Sequence, residues 1–345
     1  MKYFLVLLMS IGLISLYGLS PLPIGSYDYA TIENNVSAIA LGLGGINVTD
    51  PGDPFASYGN PALLANNQST MLYLAYRLAD EEEHGFWETV NVSNFLNEKQ
   101  FKYFTLVAKQ FAISYQPMAS INISEFNAER NQSLYYDYKL DKIQMSIGIT
   151  DNSWPNITAG LNLKYLSGRL VYLAEHLEGN QMIREHFIDD KVKGFSTDLG
   201  FSYETGDAVF GLSAYDLVSR LWWENYPAAT IQRRIAAGVQ YGKDASKTSI
   251  GVQSKISSKP ETTYHLGYNY NMNWDTNSLS NNQSVEQGLD IRIGTYSKDF
   301  YGADNINFTL GSGYYYQMFR FDFSLNTKGM KLADSEFLFS LGMGF

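Results

Sequence analysis

The closing stretch "EFLFSLGMGF" (Glu336–Phe345) decides the fold class of this chain. In an extended strand, successive side chains point to opposite faces. Here every second position from Phe337 to Phe345 is apolar, whereas the other face carries Glu336, Ser340 and glycines, with Leu338 as the single exception. The pattern predicts a β-strand with one apolar face.

The same alternation recurs along the chain. It is found in "IQMSIGI" (143–149), "ITAGLNLKY" (157–165), "FSTDLGFSY" (195–203), "RIAAGVQY" (234–241), "TTYHLGYNYN" (262–271) and "FRFDFSLN" (319–326). A soluble β-sandwich also alternates, but its turns do not differ systematically in length, whereas long and short connections tend to alternate here. About fourteen such runs predict an all-β fold, a single transmembrane antiparallel β-barrel over residues 69–345.

In such a barrel the apolar faces contact lipid and the polar faces line the lumen. Trp154, Trp222, Trp223 and Trp274 lie near predicted strand ends, which favours positions at the membrane interfaces. The terminal Phe345 is interpreted as a signal for the outer-membrane assembly machinery. No domain boundary is expected within the barrel, because removing strands would expose unpaired edges to lipid.

The composition excludes several classes of function. The 345 residues include no cysteine, so disulfides and thiolate metal sites are excluded, and the formal net charge of -10 argues against a nucleic-acid partner. Residues 1–20 hold Lys2, an apolar core and small residues before Pro21, which predicts a cleaved signal peptide and export. The alternative, a membrane anchor, is less favoured because the apolar core is short.

Two long connections are predicted, at residues 79–99 and 173–192. In the first, Phe86, Trp87 and Phe95 form a hypothetical outer landing site for amphiphiles. Glu-His pairs at 83–84, 175–176 and 185–186 are predicted in outer loops, as solvated residues rather than a metal site. Residues 275–287 break the alternation of connection lengths, so the strand count over 272–290 stays open.

Residues 21–68 are predicted to form a plug segment in the lumen. "SAIALGLGG" (37–45) is too apolar to remain in the periplasm and too glycine-rich for a stable free helix. "DPGDPFASYGNPALL" (50–64) contains proline steps that favour an extended path without a regular ladder of donors. Two interpretations of Asn60 and Pro61 stay open: a turn that starts the first strand and holds the plug, or a ligand role.

The stretch "LGLGGINVTDPGDPFASYGNPALLA" (41–65) resembles the N-terminal signature of the FadL-type outer-membrane barrels and their PorV/PorQ relatives. The matching residues are Leu41, Gly42, Gly44, Gly45, Asp50, Asp53, Asn60, Pro61, Ala62 and Leu63. The resemblance implies a fourteen-stranded barrel with a plugged lumen. It also implies an opening in one strand, through which hydrophobic molecules leave sideways into the bilayer.

Ionisable side chains on the polar faces are candidate lumen residues. They are Arg77, Lys164, Asp198, His265, Asp290, Arg292, Arg320 and Asp322. Charges of both signs in a filled lumen are expected to pair with one another and with the plug. The functional alternative is that some of these positions, with arginine the natural partner, orient the carboxylate of a ligand.

No H-E-x-x-H arrangement and no nucleophile motif is present, so no enzyme, cofactor or metal is predicted. Two functions stay open. The first is binding or transport of hydrophobic, fatty-acid-like molecules across the outer membrane of a Gram-negative-type bacterium. The alternative is a PorV/PorQ-type accessory or cargo-binding role in a type IX-like secretion system. The expected partners are membrane lipids and the assembly machinery, with either a hydrophobic ligand or secretion-system proteins.

Overall fold

The structure is a computed structural model that describes residues 36–78, 101–127, 131–179, 181–243, 245–256, 261–277, 284–298, 306–329 and 331–345. Its strands are Thr70–Leu78 (β1), Phe101–Ala108 (β2), Phe111–Asn127 (β3), Gln132–Asp151 (β4), Trp154–Glu178 (β5), Gln181–Thr205 (β6), Ala208–Trp223 (β7), Arg233–Lys243 (β8), Ser246–Ile256 (β9), Thr262–Asn277 (β10), Ser284–Lys298 (β11), Ile306–Tyr316 (β12), Phe319–Lys328 (β13) and Lys331–Gly344 (β14). Each strand pairs with its neighbours in sequence, and β1 pairs antiparallel with β14 to close the barrel. The predicted fourteen-stranded antiparallel barrel is therefore confirmed.

The outward face of the barrel is apolar, as the alternation predicts. Ile143, Met145, Ile147 and Ile149 of β4 and Tyr264, Leu266, Tyr268 and Tyr270 of β10 are all exposed, whereas Gln144, Ser146, His265 and Asn269 between them are buried. An apolar exterior around a polar interior is stable in lipid rather than in water. The chain is thus a transmembrane barrel.

The connections differ between the two ends of the barrel. The end that holds both Thr70 and Gly344, here the terminal end, has the connections 109–110, 152–153, 206–207, 244–245, 278–283 and 317–318. The opposite or distal end has 79–100, 128–131, 179–180, 224–232, 257–261, 299–305 and 329–330. Strands β10 and β11 pair continuously from Asn277 and Ser284 onward, so residues 272–290 contain one hairpin whose connection is longer than its neighbours.

The prediction of a long loop at residues 173–192 is wrong. Strands β5 and β6 have 25 residues each and remain paired up to Glu178 and Gln181. At about 3.3 Å per residue such a strand is roughly 80 Å long. Only ~9–11 residues are needed to cross the hydrocarbon, so the strand is more than twice as long as the membrane requires. Because the distal half of this hairpin projects beyond the membrane, it carries polar residues that a sequence pattern assigns to a loop.

Two of the three Glu-His pairs are consequently on strands rather than in loops. His176 Nδ1 of β5 lies 3.0 Å from Glu185 Oε1 of β6. The pair Glu83-His84 falls outside the described residues, as do residues 1–20 and the aromatic residues Phe86, Trp87 and Phe95.

Three of the four tryptophans predicted at the membrane interfaces face outward near strand ends, and one does not. Trp154, Trp222 and Trp274 are exposed, in agreement with the predicted interfacial positions. Trp223 is only 6% exposed and stacks on Tyr138 with ring centroids 6.5 Å apart. The prediction for Trp223 is wrong because neighbouring residues on a strand face opposite sides, so Trp222 and Trp223 cannot both face lipid.

Residues 36–69, the N-terminal segment, precede β1 and contain three short helices. These are α1 (Ala38–Gly42), α2 (Ala56–Gly59) and a 3-10 helix (Pro61–Asn66). The Ser37 side chain caps α1 by accepting from the Ala40 N–H at 3.0 Å, which replaces a missing backbone partner. Among the described residues, no helix is long and apolar enough to cross a membrane.

Rows of directly paired glycines on the inward face receive this segment. The rows, here the glycine track, are Gly148–Gly160–Gly200 on β4–β6, Gly211–Gly238–Gly251 on β7–β9 and Gly267–Gly294 on β10–β11. A Cβ at Gly160 would overlap Pro61, one at Gly211 would overlap Val48, and one at Gly267 would overlap Leu43. The glycines therefore let the N-terminal segment lie directly on the backbone of the wall.

Leu338 is the one apolar residue on the polar face of the closing stretch 336–345, and its contact with the N-terminal segment explains it. It points inward, is fully buried and packs against Ala38 and Leu41 of α1. An apolar residue on the polar face of β14 thus marks the place where an apolar helix contacts the inner wall.

Candidate ligand site inside the barrel

Side chains of the wall donate hydrogen bonds to backbone carbonyls of the N-terminal segment. The Tyr215 hydroxyl donates to the Gly59 carbonyl at 2.6 Å, and the amides of Gln144 and Asn162 both donate to the Ser57 carbonyl. Buried carbonyl groups need such partners where no regular ladder exists. The wall and the segment are therefore joined by specific contacts as well as by packing.

The motif residue Asn60 connects the segment to itself and to the wall. Its side-chain oxygen accepts from the Ala62 N–H at 3.1 Å, while its amide donates to the carbonyls of Val48 and Phe201 at 2.9 and 3.0 Å. The other residues of this part of the motif, Pro61, Ala62 and Leu63, are buried. Asn60 thus caps the 3-10 helix and joins the segment to the wall, although the first strand begins only at Thr70. Its ligand role stays a prediction.

The two aspartates of the motif have different environments. Asp50 is partly exposed and lies 3.5 Å from Lys247 Nζ. Asp53 is buried, and its carboxylate accepts from the Ser37 hydroxyl at 2.7 Å and from the Phe55 N–H at 2.9 Å. Burial raises the pKa of Asp53 from 3.8 to about 7, against the opposing effect of these two hydrogen bonds.

The glycines of the motif approach β10–β12. Gly44 (φ +77°) donates its N–H to Thr309 Oγ1 at 3.0 Å, and its carbonyl accepts from His265 Nδ1 at 2.6 Å. A Cβ at Gly44 would lie 2.7 Å from two wall carbonyls, so only glycine fits. Gly42 ends α1, and its carbonyl accepts from Thr309, while Gly45 (φ +83°) follows in the same turn. His265 therefore holds the segment against β10.

Most of the predicted lumen charges are paired with one another. Arg292 and Arg320 each contact both Asp290 and Asp322, at N–O distances of 2.6 to 2.9 Å. Arg77 Nε lies 2.7 Å from Glu336 Oε1. Arg292 and Arg320 therefore have carboxylate partners in the wall, while Arg292 Nη1 has no hydrogen-bond partner within the described residues.

Lys164 and Asp198 belong to a second buried group. Lys164 Nζ lies 2.6 Å from Asp198 and 2.9 Å from Asp216. Asp216 (φ +54°) sits where three residues of β7 face a single residue of β6, and its N–H donates to Asp198 at 2.8 Å. This bulge turns the Asp216 carboxylate inward.

Two further cations lie near this group. Lys142 Nζ is 5.0 Å from the centroid of the Tyr58 ring, and the Arg234 guanidinium is 4.8 Å from that of Tyr215. Both side chains are buried, and within the described residues no carboxylate is recorded within 4 Å of either cation. The basic side chains of Lys164, Lys142 and Arg234 thus lie near the two carboxylates of Asp198 and Asp216. Burial raises the pKa of the Tyr58 hydroxyl, and the nearby Arg234 and Lys164 charges oppose that rise.

The interior on the distal side of Lys142 is mostly apolar, with the exception of Asp190, which is buried and accepts hydrogen bonds from Asn225. The buried apolar side chains there, here the distal cluster, are Ala119, Tyr136, Tyr138, Leu140, Leu166, Leu170, Ile188, Val192, Leu221, Trp223 and Ile231. Leu166 is the direct cross-strand partner of Lys142. An amphiphile with an anionic head could therefore place its tail along the distal cluster and its head beside Lys142 and Arg234.

Neither Lys142, Arg234 nor the distal cluster was predicted from the sequence, although a signal exists. In β4 the inward positions are polar or small from Lys142 to Gly148 but apolar at Tyr136, Tyr138 and Leu140. The outward positions change in the opposite sense, to Asp137, Lys139 and Asp141. The period of two persists while the apolar face switches sides, and this switch marks the distal boundary of the membrane.

The pairing between β2 and β3 ends near the same place. It runs from Ala108↔Phe111 to Phe104↔Tyr115, and no β3 partner is recorded for the described β2 residues Phe101–Tyr103. Strand β3 continues to Asn127 and is irregular at Pro117, which has no N–H to donate. The Tyr103 ring beside this interruption lies 5.9 Å from Lys142 Nζ.

The part of the chain that the structure describes contains no group of three or more His, Cys, Asp or Glu able to hold a metal ion. The fold and its interior define a class of protein: a transmembrane barrel whose N-terminal segment lies against the inner wall.

Known barrels share this fold. The structure is similar to the toluene transporter TbuX of Ralstonia pickettii (TM-score 0.56, 12% identity, covering 93% of this chain and 98% of that one). It is also similar to the P. putida toluene transporter TodX (0.55, 11%, 90% and 99%) and to a Pseudomonas aeruginosa FadL homologue (0.55, 11%, 90% and 98%). The resemblance to FadL-type barrels is thereby confirmed at the level of the fold. No family model and no curated protein sequence matches this chain.

Proposed function

We propose that this protein is a non-enzymatic outer-membrane barrel that transports hydrophobic small molecules, and that its preferred ligands are fatty-acid-like amphiphiles with one negative charge. The observation that carries the proposal is the distal cluster next to Lys142, a side chain that, like Arg234, has no carboxylate recorded within 4 Å among the described residues. The named transport functions of barrels with the same fold support the transport role.

The basic side chains of Lys142 and Arg234 favour an anionic head group over an uncharged ligand. A hydrogen bond to a charged partner is worth about 1.5–3 kcal/mol, and more where water is excluded. Arg234 Nε has no hydrogen-bond partner within the described residues. A carboxylate bound there would satisfy a buried donor that the protein leaves open.

The N-terminal segment is proposed to act as the plug. Its contacts with the glycine track, with Ser57 and with Gly44 support a segment that closes the terminal side of the interior. Transport then requires either displacement of the segment or a route around it. The interruption between β2 and β3 lies beside Lys142 and supports sideways release into the bilayer.

The location follows from the same arrangement. In outer-membrane barrels the short turns lie in the periplasm and the longer loops outside, which supports a distal end that faces outward from the cell. Phe345, which is 68% exposed, follows the last strand and stays our candidate for the signal that the assembly machinery binds. The secretion-system alternative stays a prediction that no observation on the described residues favours.

Uptake by whole cells tests the proposal. Cells that lack their own uptake barrel would express the wild type, the double variant Lys142→Met/Arg234→Met, or the control Lys109→Met/Lys243→Met at exposed terminal-end positions. We expect the wild type and the control to take up radiolabelled oleate well above empty cells. The test variant should lose at least about tenfold, because each 1.4 kcal/mol of lost binding is a factor of ten.

Toluene uptake separates the two parts of the proposal. If the interior selects for charge, the test variant loses oleate uptake but changes toluene uptake by less than about twofold. Equal loss of both compounds would contradict the anionic preference, and uptake no higher than in empty cells would contradict transport itself.

A further inference from the structure

A group of cations lies on the outer surface of β6 and β7, at the distal edge of the apolar belt. Lys193 is directly opposite Trp222, and Phe195 is directly opposite Arg220. All four side chains are exposed, and the rings of Phe195 and Trp222 pack with centroids 5.6 Å apart. Two cations and two aromatic rings thus form one square, with Lys191 two residues further from the membrane.

Lys193 and Arg220 have no carboxylate among their direct cross-strand partners, whereas Lys191 lies next to Glu224 and two residues from Asp189. Within the described residues, no carboxylate is recorded within 4 Å of Lys191, Lys193 or Arg220, whereas nearby Arg169 is bound in two places by Asp189. Cross-strand neighbours lie about 5 Å apart, so the patch concentrates three positive charges in a chain whose net charge is negative.

The patch is also confined to one side of the barrel. The outward-facing side chains that the structure describes on β9–β13 include no lysine or arginine. Exposed outward-facing cations of the distal side lie on β4–β8, and they include Lys139, Arg169, Lys191, Lys193, Arg220 and Arg233. Of these, Lys193 and Arg220 lie beside two packed aromatic rings, and this combination indicates a specific partner.

We propose that Lys191, Lys193 and Arg220, here the rim patch, bind the phosphorylated head group of an acylated lipid in the outer leaflet. Arginine and lysine are the side chains that bind phosphate groups, and Phe195 and Trp222 offer an interfacial surface to the upper part of the acyl chains. Immediately below, Leu199, Phe201 and Tyr203 continue the apolar belt along β6. Along β6 the surface changes from cations to aromatic rings to apolar side chains. This order fits the phosphate head group, the upper acyl chains and the lower acyl chains of an anionic lipid. The inference rests on the proposed outer-membrane location but not on transport.

Binding of diphosphoryl lipid A to the purified full-length barrel tests this inference. Native mass spectrometry in mild detergent would count the lipids retained by the wild type, by Lys193→Gln/Arg220→Gln and by the control Lys109→Gln/Lys243→Gln. Both doubles change the net charge equally. We expect at least a tenfold weaker affinity for the rim double and no change for the control.

Two further measurements identify the source of the phosphate. Binding to the wild type should weaken between 0.05 and 0.5 M salt, and monophosphoryl lipid A should bind more weakly than the diphosphoryl form. Equal affinity of the two doubles, or no preference for the diphosphoryl lipid, would overturn the proposal. Competition by inorganic pyrophosphate at the same concentration as the lipid would also overturn it, because the patch would then bind phosphate without the lipid.

Discussion

At the scale of single residues, Asp53 holds a carboxyl group in a place that disfavours its charge. Its folded-state pKa of about 7, raised from 3.8 by burial, means that the folded protein keeps a proton that the unfolded chain releases. The contribution of Asp53 to the free energy of unfolding is therefore most favourable below pH 4. It falls as the pH rises towards 7 and stays low above pH 7. At 1.36 kcal/mol per pKa unit, the whole effect is at most roughly 4 kcal/mol.

Asp53→Asn should remove this pH dependence. The variant keeps an oxygen that can accept from the Phe55 N–H and has no charge to bury. We expect the N-terminal segment of the wild type to be cut by protease faster at pH 8.5 than at pH 5, and that of the variant to resist at both. Asp50→Asn, at the partly exposed aspartate, is the control and should behave as the wild type. An equal pH response in Asp53→Asn would contradict the assignment.

Residue-level prediction from the sequence succeeded where alternation alone decides the side. It placed Arg292, Asp322 and His265 inside the barrel, where the structure has them. The sequence does not predict which charges are paired. Asp216 reaches Lys164 only because β7 has a bulge, and no sequence pattern predicts that bulge. Alternation alone also does not single out Lys142, which lies one residue before the alternating stretch 143–149. Its signal is that the apolar face of β4 changes from outward to inward at this point, towards the distal end.

At the scale of elements, the glycine track explains why the inward faces of so many strands are small. The 3-10 helix touches backbone at Gly148 and Gly160. Gly160→Val should therefore force the helix away from the wall at a cost of at least ~2 kcal/mol, as overpacking does. Faster proteolysis of residues 36–65 and an earlier loss of the compact, heat-modifiable form on gels would report it.

Ala159→Val is the matched control, because Ala159 directly precedes Gly160 in β5 and faces outward. It should leave both measurements unchanged. If Gly160→Val were as stable as this control, the close approach between the helix and the wall would be contradicted.

Element boundaries show why part of the fold could not be predicted. The fourteen strands and the apolar face of β14 follow from a period of two. Residues 173–192, in the distal part of the hairpin formed by the 25-residue strands β5 and β6, have the sequence pattern of a loop, because strands outside the membrane need no apolar face. Leu338 breaks this pattern because it packs against α1, a contact that the pattern of β14 alone does not predict.

At the scale of the whole molecule, transport depends on whether the N-terminal segment moves. The chain has no cysteine, so Leu41→Cys/Leu338→Cys introduces a single pair between α1 and β14. Closing this pair by oxidation or a short bifunctional reagent should reduce oleate uptake at least about fivefold if displacement is required, and reduction should restore it. Unchanged uptake in the closed form would show instead that ligands leave sideways without movement of α1.

The central claim is that an anionic amphiphile binds between the distal cluster and Lys142, and Trp223 offers a direct measurement. Bromine atoms quench tryptophan on contact, so a fatty acid brominated along its tail should quench the purified barrel saturably. We predict that Trp223→Phe loses the saturable part of the quenching, whereas Trp154→Phe, at an outward position, retains it. Saturable quenching of equal size in the wild type and Trp223→Phe would contradict a ligand site inside the barrel.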